Sequence, residues 1–233
     1  MDNIKNNDMQ NPEMSQKPAN TMPLIGDRAP AFRAMTTQGK VDFPVDYKGS
    51  WVVLFSHPAD FTPVCTTEFI TFAAMAEEFA EMNTKLIGLS IDSLHSHLAW
   101  VKNIEEIKWN DHENVKIPFP VIADISMNVA KKYGMLQTVA NTQTVRAVFV
   151  IDPEGIIRTI LYYPMSVGRN LDEIKRIVTA LQLHDEEDIS TPANWNQGDD
   201  VLLGAPLTLE EAEDRKNRDD IEVIEWYLAK KKL

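Results

Sequence analysis

The chain has 233 residues, 44% of them hydrophobic and 25% charged, with a formal net charge of −12. This make-up suits one substantial folded body with an extension, and its acidity excludes nucleic acid as a partner, since that binding rests on clustered Lys and Arg that release counterions. A single cysteine excludes an internal disulfide and fits a reducing cytoplasm, and no stretch approaches the roughly 18–20 consecutive apolar residues of a bilayer span, so no membrane partner is expected.

Residues 1–20 are rich in Asn, Gln and Pro, with neither the apolar run of a signal peptide nor the Arg/Ser bias of a transit peptide, and they read as a mobile tail. Either Met1 or Met22 can serve as the start. Ordered sequence begins at Met22, and Trp51-Val52-Val53-Leu54-Phe55 is a continuous apolar run of buried-strand length that ends at His57-Pro58. A helix pattern follows Pro63, with Phe69, Phe72, Ala73, Ala76 and Phe79 on one face. Leu86–Ile91 reads as a second buried strand, and Ser93 as the N-cap of a helix over residues 94–107.

Asp124-Ile125-Ser126 can open a short helix ending near Gly134. Residues 147–151 and 156–161 flank Asp152-Pro153-Glu154-Gly155, a hairpin turn. Asn170 caps a last helix to Leu183 that buries Ile174, Ile177, Val178 and Leu181. The order β-α-β-α-β-β-α, a crossover followed by a closing hairpin, predicts a thioredoxin-like α/β fold across 21–184. From 185 to 233 the composition shifts into an arm, with a Thr208/Glu211 capping box and a close on Ile221, Ile224, Trp226 and Leu228; its Lys230-Lys231-Lys232 run reads as a solvated helix end. Too poor in apolar surface to fold alone, the arm is expected to pack on its own body or at an oligomer interface.

Chemistry concentrates between the first strand and the Phe-faced helix, at Ser56-His57-Pro58-Ala59-Asp60-Phe61-Thr62-Pro63-Val64-Cys65-Thr66-Thr67-Glu68. Cys65 would occupy the first helical turn, where unpaired N–H groups and the positive dipole end favour a thiolate. His95 and His97, two residues apart at a helix start, point to different faces, so no metal site is expected. Nothing in the sequence calls for a cofactor.

The Pro58, Thr62 and Cys65 spacing, set in that unbroken loop, resembles the active-site loop of peroxiredoxins, most closely the single-cysteine subgroup and its archaeal-type relatives. Gly168-Arg169-Asn170 and the Ala193-Asn194-Trp195 segment extend the resemblance to Leu233. It implies that Cys65 attacks a hydroperoxide and becomes a sulfenic acid. Thr62 and the Cys65 N–H would hold the peroxide, Arg146 would stabilise thiolate and peroxide, and Pro58 would shield the pocket. Glu68 would orient Arg146, while His57 and Arg169 are supporting candidates beside blander roles as a turn residue and a surface charge. The arm lacks the extra cysteines that some archaeal-type relatives carry, so the sulfenic acid must be reduced by an external thiol or a thioredoxin-like partner. A homo-oligomer is also implied, as a dimer or a decameric ring of dimers. Mammalian members carry a phospholipase activity tied to Gly-x-Ser-x-Gly; here Lys48-Gly49-Ser50-Trp51-Val52 and the absence of His from Phe43-Pro44-Val45 speak against it. A redox sensor or chaperone-like role, in which oxidation of Cys65 changes assembly, stays open beside the enzyme, with Trp51 expected near the site as a fluorescent reporter.

Overall fold

The computed structural model describes residues 22–136 and 143–233; the expected tail at 1–20 lies outside them. Its centre is β3 (Trp51–Ser56), all six residues of which are buried. Strand β3 runs parallel to β4 (Thr84–Ser90) and antiparallel to β6 (Arg146–Ile151). A β-strand points successive side chains to opposite faces, so Val53 and Phe55 enter one core layer and Val52 and Leu54 the other. With both faces covered, the strand reads as an unbroken apolar run.

The seven-stranded sheet has the order β2-β1-β5-β4-β3-β6-β7, with β1 at Phe32–Thr36, β2 at Gly39–Phe43, β5 at Val121–Ala123 and β7 at Ile157–Tyr163. On one face lie α1 (Pro63–Ala74), α2 (Ala76–Glu81), α3 (Leu94–Glu105) and α5 (Leu171–Glu187). They contribute Phe69, Phe72, Phe79, Trp100, Ile174 and Val178, all fully buried. Each such side chain stabilises the fold by about 1.5–3 kcal/mol relative to exposure. The opposite face is covered by α4 (Asn128–Lys132), Tyr133 and Phe43. Together these layers make the thioredoxin-like α/β fold expected from the sequence.

Several helix and turn signals act as read. Ser93 Oγ accepts from Ser96 N and Asn170 Oδ1 from Glu173 N. In the β6–β7 turn, Asp152 Oδ1 accepts from Glu154 N and Ile156 N. Two differences concern continuity. The helix expected after Pro63 breaks at Met75, where the backbone relaxes to φ −91° and ψ 0°, and α5 continues to Glu187, past the 184/185 boundary drawn from composition.

The arm departs further. Helix α6 (Leu209–Lys216) follows the Thr208 cap, but β8 (Val201–Leu202), β9 (Glu222–Glu225) and β10 (Leu228–Lys231) form a second sheet in the order β8-β10-β9. Lys230 and Lys231 therefore lie in a strand, not at a helix end. Trp226-Tyr227 turns the chain back on itself, and Lys230 Nζ meets Asp200 and Glu222 carboxylates, both at 3.1 Å. Ile189, Trp195 and Val201 pack beneath Ala180 and Leu183, which seats the start of the arm on α5.

Candidate active site

At the C-terminal end of β3 the chain leaves the sheet through His57 and Pro58, both buried, and re-enters a helix at Thr62. Thr62 is the N-cap in extended conformation and Pro63 takes the first helical position, where its missing N–H costs nothing. Cys65 falls in that first turn, among amides that have no partner within the helix. The Thr62 hydroxyl does not cap the helix; it donates to Ala59 O at 2.8 Å.

Cys65 is 0% exposed. Its Sγ receives a hydrogen bond from Arg146 Nη1 at 3.2 Å, and the same nitrogen donates to Glu68 Oε2 at 2.8 Å. Arg146 Nε and Nη2 both donate to Met165 O, so the guanidinium is held on two sides. Arg146 opens β6, beside the end of β3, which is what brings it 81 positions back along the chain to Cys65.

Glu68 is the hub of the arrangement. Arg169 reaches it with Nη2 at 2.6 Å, Nε at 3.0 Å and its backbone N at 2.9 Å. Arg169 Nη1 donates to Ser56 O and Ala147 O, and its guanidinium lies over Phe55 and Phe72, 5.1 and 5.5 Å from the ring centroids. Two buried cations face the Glu68 carboxylate and the Cys65 sulfur, so a thiolate would make the quartet neutral. Buried charges are tolerated when paired and hydrogen-bonded in this way.

The sequence-predicted residues Cys65, Glu68, Arg146 and Arg169 thus meet in one cluster, with Pro58 and Thr62 in the adjoining loop. Arg169, read as a supporting candidate, is the second half of the cradle. His57 belongs to a separate network: its Nε2 donates to Asp60 Oδ1 at 2.9 Å, and Asp60 also faces His97 Nδ1 at 2.9 and 3.0 Å. His97 Nε2 donates to Ile122 O, whereas His95 is exposed on another face of α3. Burial pushes the His57 pKa down against the pull of Asp60. Burial also opposes charge on Asp60, but the hydrogen bonds from both imidazoles outweigh it and hold that carboxyl well below the usual range. Side-chain atoms of His57, Asp60 and His97 come within 4.8 Å of one another, a spacing open to a metal ion, yet they are engaged with each other.

Sequence reasoning missed Asp60, His97 and Ser56, whose hydroxyl bridges Val145 O and Ala147 N where β3 and β6 diverge. Position in the loop between His57 and Thr62 was the one signal for Asp60. Trp51 begins β3, at the end opposite the site; the indole that touches the site is Trp100, whose Nε1 donates to Thr66 Oγ1 and whose ring packs on Phe69 and His57.

Comparison with known proteins points one way. The AhpC/TSA family model matches residues 25–160, and the model for the C-terminal domain of 1-Cys peroxiredoxin matches residues 180–217. A peroxiredoxin of Methanosarcina mazei is 60% identical over 215 residues, covering 91% of this chain and 98% of its own. A peroxiredoxin of Aquifex aeolicus is 50% identical, with the same coverage. Among solved structures, a yeast mitochondrial 1-Cys peroxiredoxin, studied for thiol resolution through glutathione and thioredoxin systems, superposes with a TM-score of 0.80. It is 43% identical and covers 91% of this chain and all of its own. The peroxiredoxin 6 of Arenicola marina gives a TM-score of 0.77 at 34% identity, covering 90% of this chain and 98% of its own.

Proposed function

The chain belongs to the AhpC/TSA peroxiredoxin family and is a thiol peroxidase of the 1-Cys kind, and from that premise we propose that Cys65 is its peroxidatic residue, with Arg146, Thr62, Pro58, Glu68 and Arg169 completing the site. The observation that carries this reading is the Arg146 guanidinium, 3.2 Å from the sulfur of the one cysteine and fixed there by Glu68 and Met165 O. A positive group preorganised at the sulfur lies where negative charge develops as the peroxide bond breaks.

The thiolate attacks the terminal oxygen of a hydroperoxide; the S–O bond forms as the O–O bond breaks, and the departing alkoxide or hydroxide takes up a proton. Thr62 Oγ and the Cys65 N–H are suited to hold the peroxide, Pro58 walls the pocket and Arg169 anchors Glu68. The resulting sulfenic acid has no second cysteine in the chain to meet. An external thiol therefore condenses with it, releasing water and leaving a mixed disulfide, and a second thiol frees Cys65. The yeast relative, tied to glutathione and thioredoxin systems, makes these two reductants the first to try.

We also infer a homo-oligomer acting in the cytoplasm. Leu207 and Leu209, 92% and 88% exposed, and half-exposed Trp226 leave an apolar face on the arm that suits burial against a second copy. No helix among the described residues is long and apolar enough to cross a membrane.

Stopped-flow mixing of the reduced protein with hydrogen peroxide, followed through Trp100 fluorescence, tests the assignment. Fast second-order oxidation is expected, abolished in Cys65→Ser and strongly slowed in Arg146→Ala. A fast reaction surviving in the serine variant would overturn it.

A further inference from the structure

Between Asp60 and Thr62 the chain passes through Phe61 at φ +54°, a residue that is 56% exposed. A bulky residue in the left-handed region is strained and persists where its surroundings over-determine it. Here Thr62 follows directly as the N-cap of α1, and Cys65 comes three residues later. The conformation of this one exposed residue thus sets the direction in which the helix start leaves the loop.

The surroundings that fix it converge on the residue before. The buried Asp60 carboxylate is gripped from its own loop by His57 Nε2 and from α3 by His97 Nδ1, and His97 is tied in turn to Ile122 O in β5 at 3.1 Å. The Asp60 backbone N donates to Asp92 Oδ2 at 3.0 Å, and Asp92 is itself bonded to Ser90 Oγ at 2.6 Å. His57 O accepts from Thr144 Oγ1. Facing Asp60 are therefore two imidazoles and the Asp92 carboxylate, drawn from three separate parts of the fold. None of these groups contacts Cys65, Glu68, Arg146 or Arg169 in the hydrogen-bonded cradle.

We propose that Asp60 and His97 are positioning residues of the peroxidase site: the buried carboxylate, clamped by both imidazoles, holds strained Phe61 in place and so fixes the first turn of α1 against Arg146. This rests on the assignment of Cys65 as the peroxidatic residue. The strain would drive the loop outward once the clamp is lost. The thiol would then leave the guanidinium and become open to larger reagents from which it is now buried.

The two consequences have opposite signs, which separates positioning from loss of structure. Asp60→Asn, whose amide sets a donor against one of the two imidazoles, and His97→Gln as an independent second variant are compared with the parent in two reactions. One is stopped-flow oxidation by hydrogen peroxide, and the other is modification of Cys65 by the bulky disulfide dithiobis(nitrobenzoate) in the folded protein. Peroxide oxidation is expected to slow about tenfold while modification quickens about tenfold, within what release of one strained residue supplies. In Asp60→Asn/Phe61→Gly, where residue 61 tolerates positive φ, the peroxide rate returns to that of Phe61→Gly alone. Both rates falling together, both staying at the parent value, or the glycine giving no recovery would each overturn the clamp. In Cys65→Ser, run in parallel, a surviving peroxide reaction would remove the assignment beneath it, a failure visible in that control alone.

Discussion

Replacing Glu68 with Gln changes one atom type at the centre of the cradle and gives a large, calculable effect. The carboxylate accepts four hydrogen bonds, from Arg146 Nη1, Arg169 Nη2, Arg169 Nε and Arg169 N, at 2.6–3.0 Å. The amide keeps one acceptor oxygen, while its NH₂ must face guanidinium N–H groups that have nothing to give their hydrogens to. Two charge-assisted bonds are lost at about 1.5–3 kcal/mol each, which agrees with the roughly 3–5 kcal/mol cost of breaking a buried ion pair. Taking about 4 kcal/mol, and about 2–4 °C per kcal/mol for a chain of this size, Tm should fall by about 8–16 °C. Circular-dichroism melts of both proteins at one fixed concentration measure that fall. The same variant loosens the aim of Arg146 at Cys65, so stopped-flow peroxide oxidation should slow by about 10²-fold. A Tm within about 3 °C of the parent, together with an unchanged peroxide rate, would refute the role of Glu68 as the group that holds both arginines.

Arg146→Lys should lower the second-order peroxide rate by about 10²–10³-fold, because an ammonium cannot span Cys65, Glu68 and Met165 O together; a loss under about threefold in stopped flow would argue against the fork geometry. Stability should also depend on acidity through His57. Its folded pKa is depressed by burial, so its contribution is fully present above the unfolded value near 6.5 and is lost as pH falls, by up to about 1.4 kcal/mol per pH unit. Asp60, depressed in the same direction by its imidazole partners, adds a second loss below about pH 4. Urea midpoints from pH 8 to pH 5 should show the first loss, and His57→Gln should flatten it; equal slopes in the two proteins would contradict the assignment.

The parts of this molecule legible in its sequence are those whose signals are local. Trp51–Ser56 is apolar throughout because both its faces are covered, and the Cys65 loop carries its chemistry in thirteen consecutive positions. Caps at Ser93, Asn170 and Thr208 each reach three positions along the chain and form as read, although the Glu211 carboxylate of the expected capping box accepts from Leu207 N and not from Thr208 N. The β1–β2 hairpin went unread because Arg33, Lys40 and Asp42 interrupt its apolar positions and its buried face is short. Lys230 and Lys231 misled for a related reason: their strand is held by cross-strand carboxylates that sequence proximity does not reveal. In the site, Arg146 was visible through family resemblance, whereas the Asp60–His97 contact joins residues 37 positions apart, and neither lies in a pattern that names the other. His97 looked like half of a poor metal pair; its meaning lies in a loop that the helix packs against.

The long separations inside the cradle have a consequence for when in the life of the chain it becomes reactive. Glu68 and Cys65 meet Arg146 across 78 and 81 positions, and Glu68 meets Arg169 across 101. Contacts so distant in sequence form late, after the loop-closure cost of joining β3 to β6 has been met. During synthesis, from the N-terminus onward, Cys65 leaves the ribosome about a hundred residues before Arg169 does. Until the sheet closes, the thiol has no guanidinium beside it. On the proposed assignment of Cys65, the chemistry is tied to completion of the fold: a nascent or misfolded chain lacks the cradle, and peroxide would oxidise those molecules that have finished folding.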